Sequence, residues 1–183
     1  MKTPHQSIEQ AMKAIFQEYL LIAQVLRSNL PEPDFIIGDD YLQRWWLAKI
    51  EAEHDADRYQ PFKGHTRMTT DHNAYLHRCT GSDEDSAFHD HPWANASLIL
   101  EGEYIEHTPI GRFVRGPGDM VFRRADELHR LEIKQGPVWS LFVTGNKVRE
   151  WGFDCPNGWR HWKVFTSYDE TGDSSRIGRG CGE

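Results

Sequence analysis

The stretch Phe88-His89-Asp90-His91-Pro92-Trp93, answered further along by His129 in Glu127-Leu128-His129-Arg130, constrains this chain more than any other. Two histidines at i and i+2 leave the same face of an extended strand, because successive side chains alternate. A third imidazole on a neighbouring strand would close a three-nitrogen metal site, with positions left open for water or substrate. Such a site requires strands lying side by side. The pattern therefore selects a β architecture together with a class of chemistry.

The rest of the sequence agrees with that choice. From Phe35 onward, short apolar and aromatic runs are broken by Gly, Asp and Pro, with strands predicted at 41–48, 73–79, 86–91, 95–100, 103–108, 119–123, 129–133, 138–144 and 161–167. Glu101-Gly102-Glu103, Arg115-Gly116-Pro117-Gly118-Asp119 and Gln135-Gly136-Pro137 read as turns between them. Many short strands spaced by turns suit a sandwich or barrel better than a βαβ sheet. Ahead of them, Ser7-Ile8-Glu9-Gln10 fits a helix capping box, with Ser7 as N-cap. Ile8, Met12, Ile15, Tyr19, Ile22, Leu26 and Leu30 recur in steps of three or four, and Pro31 and Pro33 stop the helix. The stripe packs either on the barrel or on a second copy of itself. The division expected is a helical extension over 1–34, a β-domain over 35–168 and a loose tail over 169–183; the polar segment from Glu51 to Asp71 carries no clear pattern.

Composition bounds the class. Charged residues make up 27% and the net charge is −7, which argues against nucleic acid as the main partner. No apolar run is long enough to span a bilayer, and the N-terminus lacks a signal-peptide pattern. The three cysteines, Cys79, Cys155 and Cys181, are odd in number and without Cys-x-x-Cys spacing, so neither a disulfide framework nor a cysteine zinc site is expected and a reducing cytoplasm fits.

The stretch from His89 to about Ile133 resembles the paired motifs of the cupin superfamily. Its first motif runs His-x-His, three or four residues, Glu, six residues, Gly. His89, His91 and Gly102 match it, and Asn95 stands where the glutamate belongs. The second motif is matched by Pro117-Gly118-Asp119 and His129, with Arg124, Asp126 and Ile133 replacing its usual Pro, Gly and Asn. The resemblance implies a mainly β fold: a single jelly-roll barrel (double-stranded β-helix) with an N-terminal helical extension. It also implies one divalent metal on His89, His91 and His129. Tyr41 to Trp46, Tyr75 to Arg78 and Arg149 to Phe153 are further similar to uncharacterised bacterial and phage cupin-like proteins.

The missing carboxylate shapes the chemistry. A two-His, one-carboxylate iron site is disfavoured because His91 occupies the place of the acid. Three neutral imidazoles leave a divalent ion its full charge, which favours anionic ligands. The ligand type is similar to that of three-His thiol and diketone dioxygenases, although Trp93 to Ser97 holds no cysteine. The expected function is a small-molecule metalloenzyme such as an iron-dependent dioxygenase, with Fe(II) favoured and Ni, Mn or Zn as alternatives. A non-catalytic ligand-binding module, with histidines hydrogen-bonded in a vestigial pocket, and a metal-dependent isomerase or lyase are the other readings. The partner expected is a small, anionic molecule, with no nucleic acid and no membrane, and a homodimer is the expected assembly.

Around the histidines, alternation from Asn95 puts Ser97 and Ile99 on one face, so Asn95 and Ser97 are candidates for orienting a ligand. Tyr75 and His77 share a face, and His77 is the best additional imidazole. Arg123, Arg124 and Arg130 flank the third histidine and are candidates for an anion. Asp90 should point away from its flanking histidines. Asp83-Glu84-Asp85 reads as a solvated loop, and His5, His54, His65, His72, His107 and His161 read as surface or turn residues. Trp139, Trp151, Trp159 and Trp162 are expected to seal the barrel or cover the helix.

Overall fold

The computed structural model describes residues 4–38, 41–50, 68–83, 86–166 and 178–182. Helix α1 (Pro4–Ser28) leads into β1 (Phe35–Ile37), β2 (Leu42–Ile50), β3 (Met68–Thr70), β4 (Asn73–Cys79), β5 (Phe88–His89), β6 (Asn95–Thr108), β7 (Gly111–Arg115), β8 (Met120–Arg123), β9 (Arg130–Thr144), β10 (Gly152–Cys155) and β11 (Gly158–His161), followed by α2 (Trp162–Phe165). The larger sheet runs β1-β2-β4-β9-β6-β7, with β3 added to β2 and β8 to β6. The smaller runs β11-β10-β5. Every pairing but β2 with β3 is antiparallel.

The two faces of the large sheet follow from alternation. Ala74, Leu76, Ala96, Leu141 and Val143, with Trp45 and Trp139, form an apolar face closed by Phe16, Tyr19 and Ala23 of α1. The opposite face carries polar residues at the alternate positions. There the register sets Tyr75 beside Phe142, Phe142 beside Ser97, His77 beside Arg44, and Asn95 beside Arg123. Asn73, Tyr75, His77, Asn95, Ser97, Arg123 and Thr144 are all buried there. A buried polar face of this kind is where a site can be built.

Several expectations need correction. The helix begins at Pro4, so Ser7 lies inside it rather than capping it; proline is well tolerated in a first helical turn, where its missing N–H is not needed. Phe16, Tyr19 and Ala23 form its buried face, whereas Ile22 and Leu30 are exposed. Strands 95–100 and 103–108 are one strand: Glu101-Gly102-Glu103 is a bulge, with register shifts around Glu101 and Gly102 at φ 80°. Likewise β9 runs through Gln135-Gly136-Pro137. Of the strand expected over 161–167, His161 ends β11 and Trp162–Phe165 form a single helical turn, with His161 Nδ1 accepting from Lys163 N at 3.1 Å; residue 167 lies outside the described residues. The cysteine expectation also fails, because Cys155 and Cys181 are disulfide-bonded with their Cα atoms 5.3 Å apart, leaving Cys79 free and buried. That removes the premise on which a reducing compartment was inferred. Of the tail over 169–183, residues 178–182 are described: Gly178 and Gly180 donate to Phe165 O, and Cys181 is tied to β10. Among the described residues no helix is long and apolar enough to cross a membrane.

Candidate metal centre

His89 ends β5 and His129 immediately precedes β9, and the two exchange both backbone hydrogen bonds, at 2.9 and 3.0 Å. A pair bonded in this way points both side chains to one side. His91 follows two residues on, its N–H donating to Ala125 O at 3.0 Å. The result is a triad of rings with centroids 4.7 to 5.2 Å apart, whose ligand nitrogens all lie within 4.8 Å of one another. Asp90 points the other way, as alternation requires. It accepts from Gly152 N at 2.8 Å and Trp159 Nε1 at 2.9 Å and pairs with Arg149 at 2.5 Å, anchoring the histidine strand to β10 and β11.

The electrostatics hold these imidazoles neutral. Burial pulls His91 well below the usual histidine range, reinforced by His129, His89, Arg123 and Arg44. Burial does the same to His129, helped by Arg123 and His89. His89 is lowered by burial, with Asp83 opposing. Neutral imidazole is the ligating form.

The nitrogens themselves fit a cation. His91 Nε2 and His129 Nε2 face each other at 2.9 Å. Two neutral rings satisfy that contact only if one of them spends its proton on the other, whereas a cation between them would accept both lone pairs. Behind His129, Glu106 Oε1 lies 3.3 Å from Nδ1, close enough for an ion-pair contact yet misaligned for a hydrogen bond, so Nδ1 has no hydrogen-bond partner. Asp83 Oδ2 stands 3.8 Å from His89 Nδ1. Carboxylates on the far nitrogen of a ligating histidine orient the ring and raise its basicity.

The other candidates fall into two groups, each centred on an arginine. Asn95 Oδ1 and Ser97 Oγ both lie 3.5 Å from Arg123 Nη1, and Asn95 Nδ2 is buried without a partner. Arg123 in turn donates from Nε to Glu106 at 2.6 Å, and Arg115 reaches the same carboxylate at 2.9 Å. Tyr75 and His77 gather around Arg44, whose Nε donates to His77 Nε2 at 2.8 Å while its guanidinium lies 4.5 Å from the Tyr75 ring centre. A wall of rings joins this second group to the triad: His77 stacks on Phe142 at 4.9 Å, Phe142 meets Trp93 at 5.6 Å, and Trp93 stacks on His91 at 4.9 Å.

Glu106, Asp83 and Arg44 were not singled out in the sequence. Glu106 could have been found as the acidic residue two beyond Tyr104 on an inward-facing strand. Asp83 was hidden in an acidic run, but it accepts from Leu131 N at 2.6 Å and from the Tyr41 hydroxyl. Glu84 and Asp85 lie outside the described residues, as do His54, His65 and the side chain of His5. His107, expected at the surface, is buried and held by Glu132 at 2.7 Å. Arg124 faces solvent, paired with Asp126. Trp139 stacks on Trp45 beneath the helix, and Trp151 on Trp162 at the barrel end.

His89 at the end of β5, His91 just beyond it and His129 just before β9 sit in a mostly antiparallel two-sheet architecture with an N-terminal helix. The fold is consistent with a cupin jelly roll. No protein-family model matches the chain, and no curated protein matches it. Solved structures similar to this chain include a DMSP lyase from Ruegeria pomeroyi, at 21% identity and TM-score 0.43, the match covering 60% of this chain and 49% of that one. A polyketide cyclase from Streptomyces resistomycificus matches at 18% identity and TM-score 0.42, covering 65% of this chain and 75% of that one. A cupin-2 domain containing protein from Shewanella frigidimarina matches at 14% and TM-score 0.37, covering 43% and 74%. The chain thus spans about half the length of the lyase, 49% of it.

Proposed function

We propose that this cupin is a metal-dependent small-molecule enzyme in which His89, His91 and His129 hold one divalent cation, and that its reaction is a dioxygenation with iron as the favoured metal. The observation that carries the reading is the facing pair of Nε2 atoms 2.9 Å apart within a cluster of neutral imidazoles. A divalent ion held there would supply Lewis acidity and, as iron, one-electron chemistry with dioxygen. The chain's own residues supply the rest. Three uncharged ligands leave the cation's charge to be met by substrate, which favours an anion. Glu106 and Asp83 stand 3.3 and 3.8 Å from the far nitrogens of His129 and His89, where a carboxylate would orient a ring once it ligates, and Trp93 and Phe142 line one side of the site with apolar surface. Asn95 and Ser97, in contact with Arg123, and Tyr75 and His77, in contact with Arg44, position groups around the reactants.

The test is to purify the protein without chelators, reconstitute it with iron, nickel, manganese or zinc, and measure bound metal and oxygen uptake. About one equivalent of metal that is lost in His129→Ala is expected. No metal above background under any of the four conditions would sink the reading. Turnover that persists without oxygen would select a metal-dependent isomerase or lyase instead, with nickel, manganese or zinc in place of iron. Ligand affinity retained without metal would select a binding module. A homodimer is proposed as the assembly, and light scattering checks it.

A further inference from the structure

We propose that Arg44 is the anion-binding residue of this site and that the substrate carries a carboxylate. The guanidinium is held by two contacts, its Nε–H to His77 Nε2 at 2.8 Å and its face over the Tyr75 ring at 4.5 Å. Neither contact neutralises its charge. No carboxylate of the described residues pairs with it, in contrast to Arg123 on the same face, which is matched by Glu106. Only Nε is engaged, so the terminal Nη1 and Nη2 edge is left to offer the planar, two-point geometry that a carboxylate matches. Arg44 is half-buried, so a ligand can reach it while much of the surrounding water is excluded.

Placement supports the assignment. Arg44 sits opposite His77 in the register of β2 with β4, on the polar face that the barrel encloses. Between Arg44 and the triad run the rings of His77, Phe142, Trp93 and His91. The arrangement fits a small molecule with a carboxylate at Arg44, a flat or apolar middle against Phe142 and Trp93, and a second polar group toward the histidines. His77 is then a positioning residue: its Nε2 accepts from Arg44 Nε and fixes the fork in place.

This assignment of substrate class rests on the reading of the triad as the reactive centre, and the experiment separates the two. Benzoate and its neutral isostere benzamide are titrated by ligand-detected NMR against wild type, Arg44→Gln, Arg44→Lys and His129→Ala, each with and without added metal. Metal content and unfolding midpoint are measured on the same samples. Benzoate is expected to bind more tightly than benzamide, and Arg44→Gln should weaken it by ~10-fold or more while leaving metal content unchanged. Arg44→Lys should recover only part of the loss, since an ammonium lacks the two-point fork; should the Gln variant not fold, the Lys variant carries the comparison. Benzoate binding that is unchanged in Arg44→Gln but lost on metal removal overturns the proposal while sparing the metal reading. Arg44-dependent binding in a protein that takes up no metal does the reverse. Equal binding of the two probes, or binding of neither, also overturns it.

Discussion

At the scale of single residues, Glu106 is the main addition to the histidine motif. Its carboxylate is almost wholly buried and meets Arg115, Arg123 and the outer nitrogen of His129. Removing one member of a buried charge network leaves the others uncompensated, so Glu106→Gln should cost about 3–5 kcal/mol, read by denaturant unfolding. Metal affinity should fall by roughly 10- to 100-fold through the loss of its hold on His129, read by competition with a chelator. A second consequence concerns pH. His77, His89, His91 and His129 are all lowered from the ordinary value of 6.5, chiefly by burial. Below 6.5 the unfolded chain takes up protons that the folded one refuses. The stability these neutral rings contribute is therefore complete above that pH and is lost as pH falls toward the folded values. Metal-free protein should show a nearly flat unfolding free energy from pH 8 to 7 and a decline below about 6.5, with at most ~1.4 kcal/mol per pH unit from each histidine. A flat profile down to pH 5.5 would contradict the burial of the four rings.

At the scale of elements, the histidine strand depends on its neighbours. Asp90 ties it to Gly152 N and Trp159, and a Cβ on Gly152 would lie 2.2 Å from Arg160 O and 2.8 Å from the Trp159 ring. Gly152→Ala must therefore force β10 and β11 apart. A loss of ~2–4 kcal/mol is expected, together with weakened metal uptake, because β5 is held by β10. On the far side of the sheet, Tyr19 is fully buried and its hydroxyl bonds His72 at 2.9 Å. Tyr19→Ala should cost about 3–5 kcal/mol in a thermal or denaturant melt while leaving the metal-to-protein ratio of the folded fraction intact. Much at this scale was legible in the sequence. The period-2 runs located β2, β4, β6 and β8, and strand β4 matches its expected range, 73–79. The expected turns inside β6 and β9 were misread because Gly102 and Gly136-Pro137 are turn residues by composition. Whether such a residue ends a strand or bulges it depends on a partner strand far away in the chain, which local pattern does not contain. The short strands β1, β3, β7, β10 and β11 were missed because runs of three to five residues are too short to show a clear alternation.

At the scale of the whole molecule, the Cys155–Cys181 bond closes a loop with sequence separation 26 and ties the tail to the barrel. Chain-entropy reasoning gives ~3–4 kcal/mol for a loop of that size, so Cys181→Ser or added reductant should lower the unfolding midpoint by a corresponding amount. Thiol titration of the denatured, unreduced protein should find one free thiol, Cys79, and finding three would remove the bond. By itself, the sequence determined the alternating apolar and polar faces, the presence of an N-terminal helix and the His-x-His step, because side-chain periodicity and residue spacing are local properties; what the helix packs against was left open between the barrel and a second copy. Only the tertiary structure decided what surrounds those histidines. Glu106, Asp83, Arg44 and Arg123 come from separate parts of the chain; strand register places Glu106, Arg44 and Arg123, and hydrogen bonds to Leu131 place Asp83. The same holds for the vacancy left by Asn95. In the sequence it is a missing ligand, whereas in the fold a buried carboxylate stands behind His129 and an unmatched guanidinium lies along the ring wall from His91. Charge in a low-dielectric interior must be balanced by whatever the fold brings near, and that balance cannot be read from neighbours in sequence.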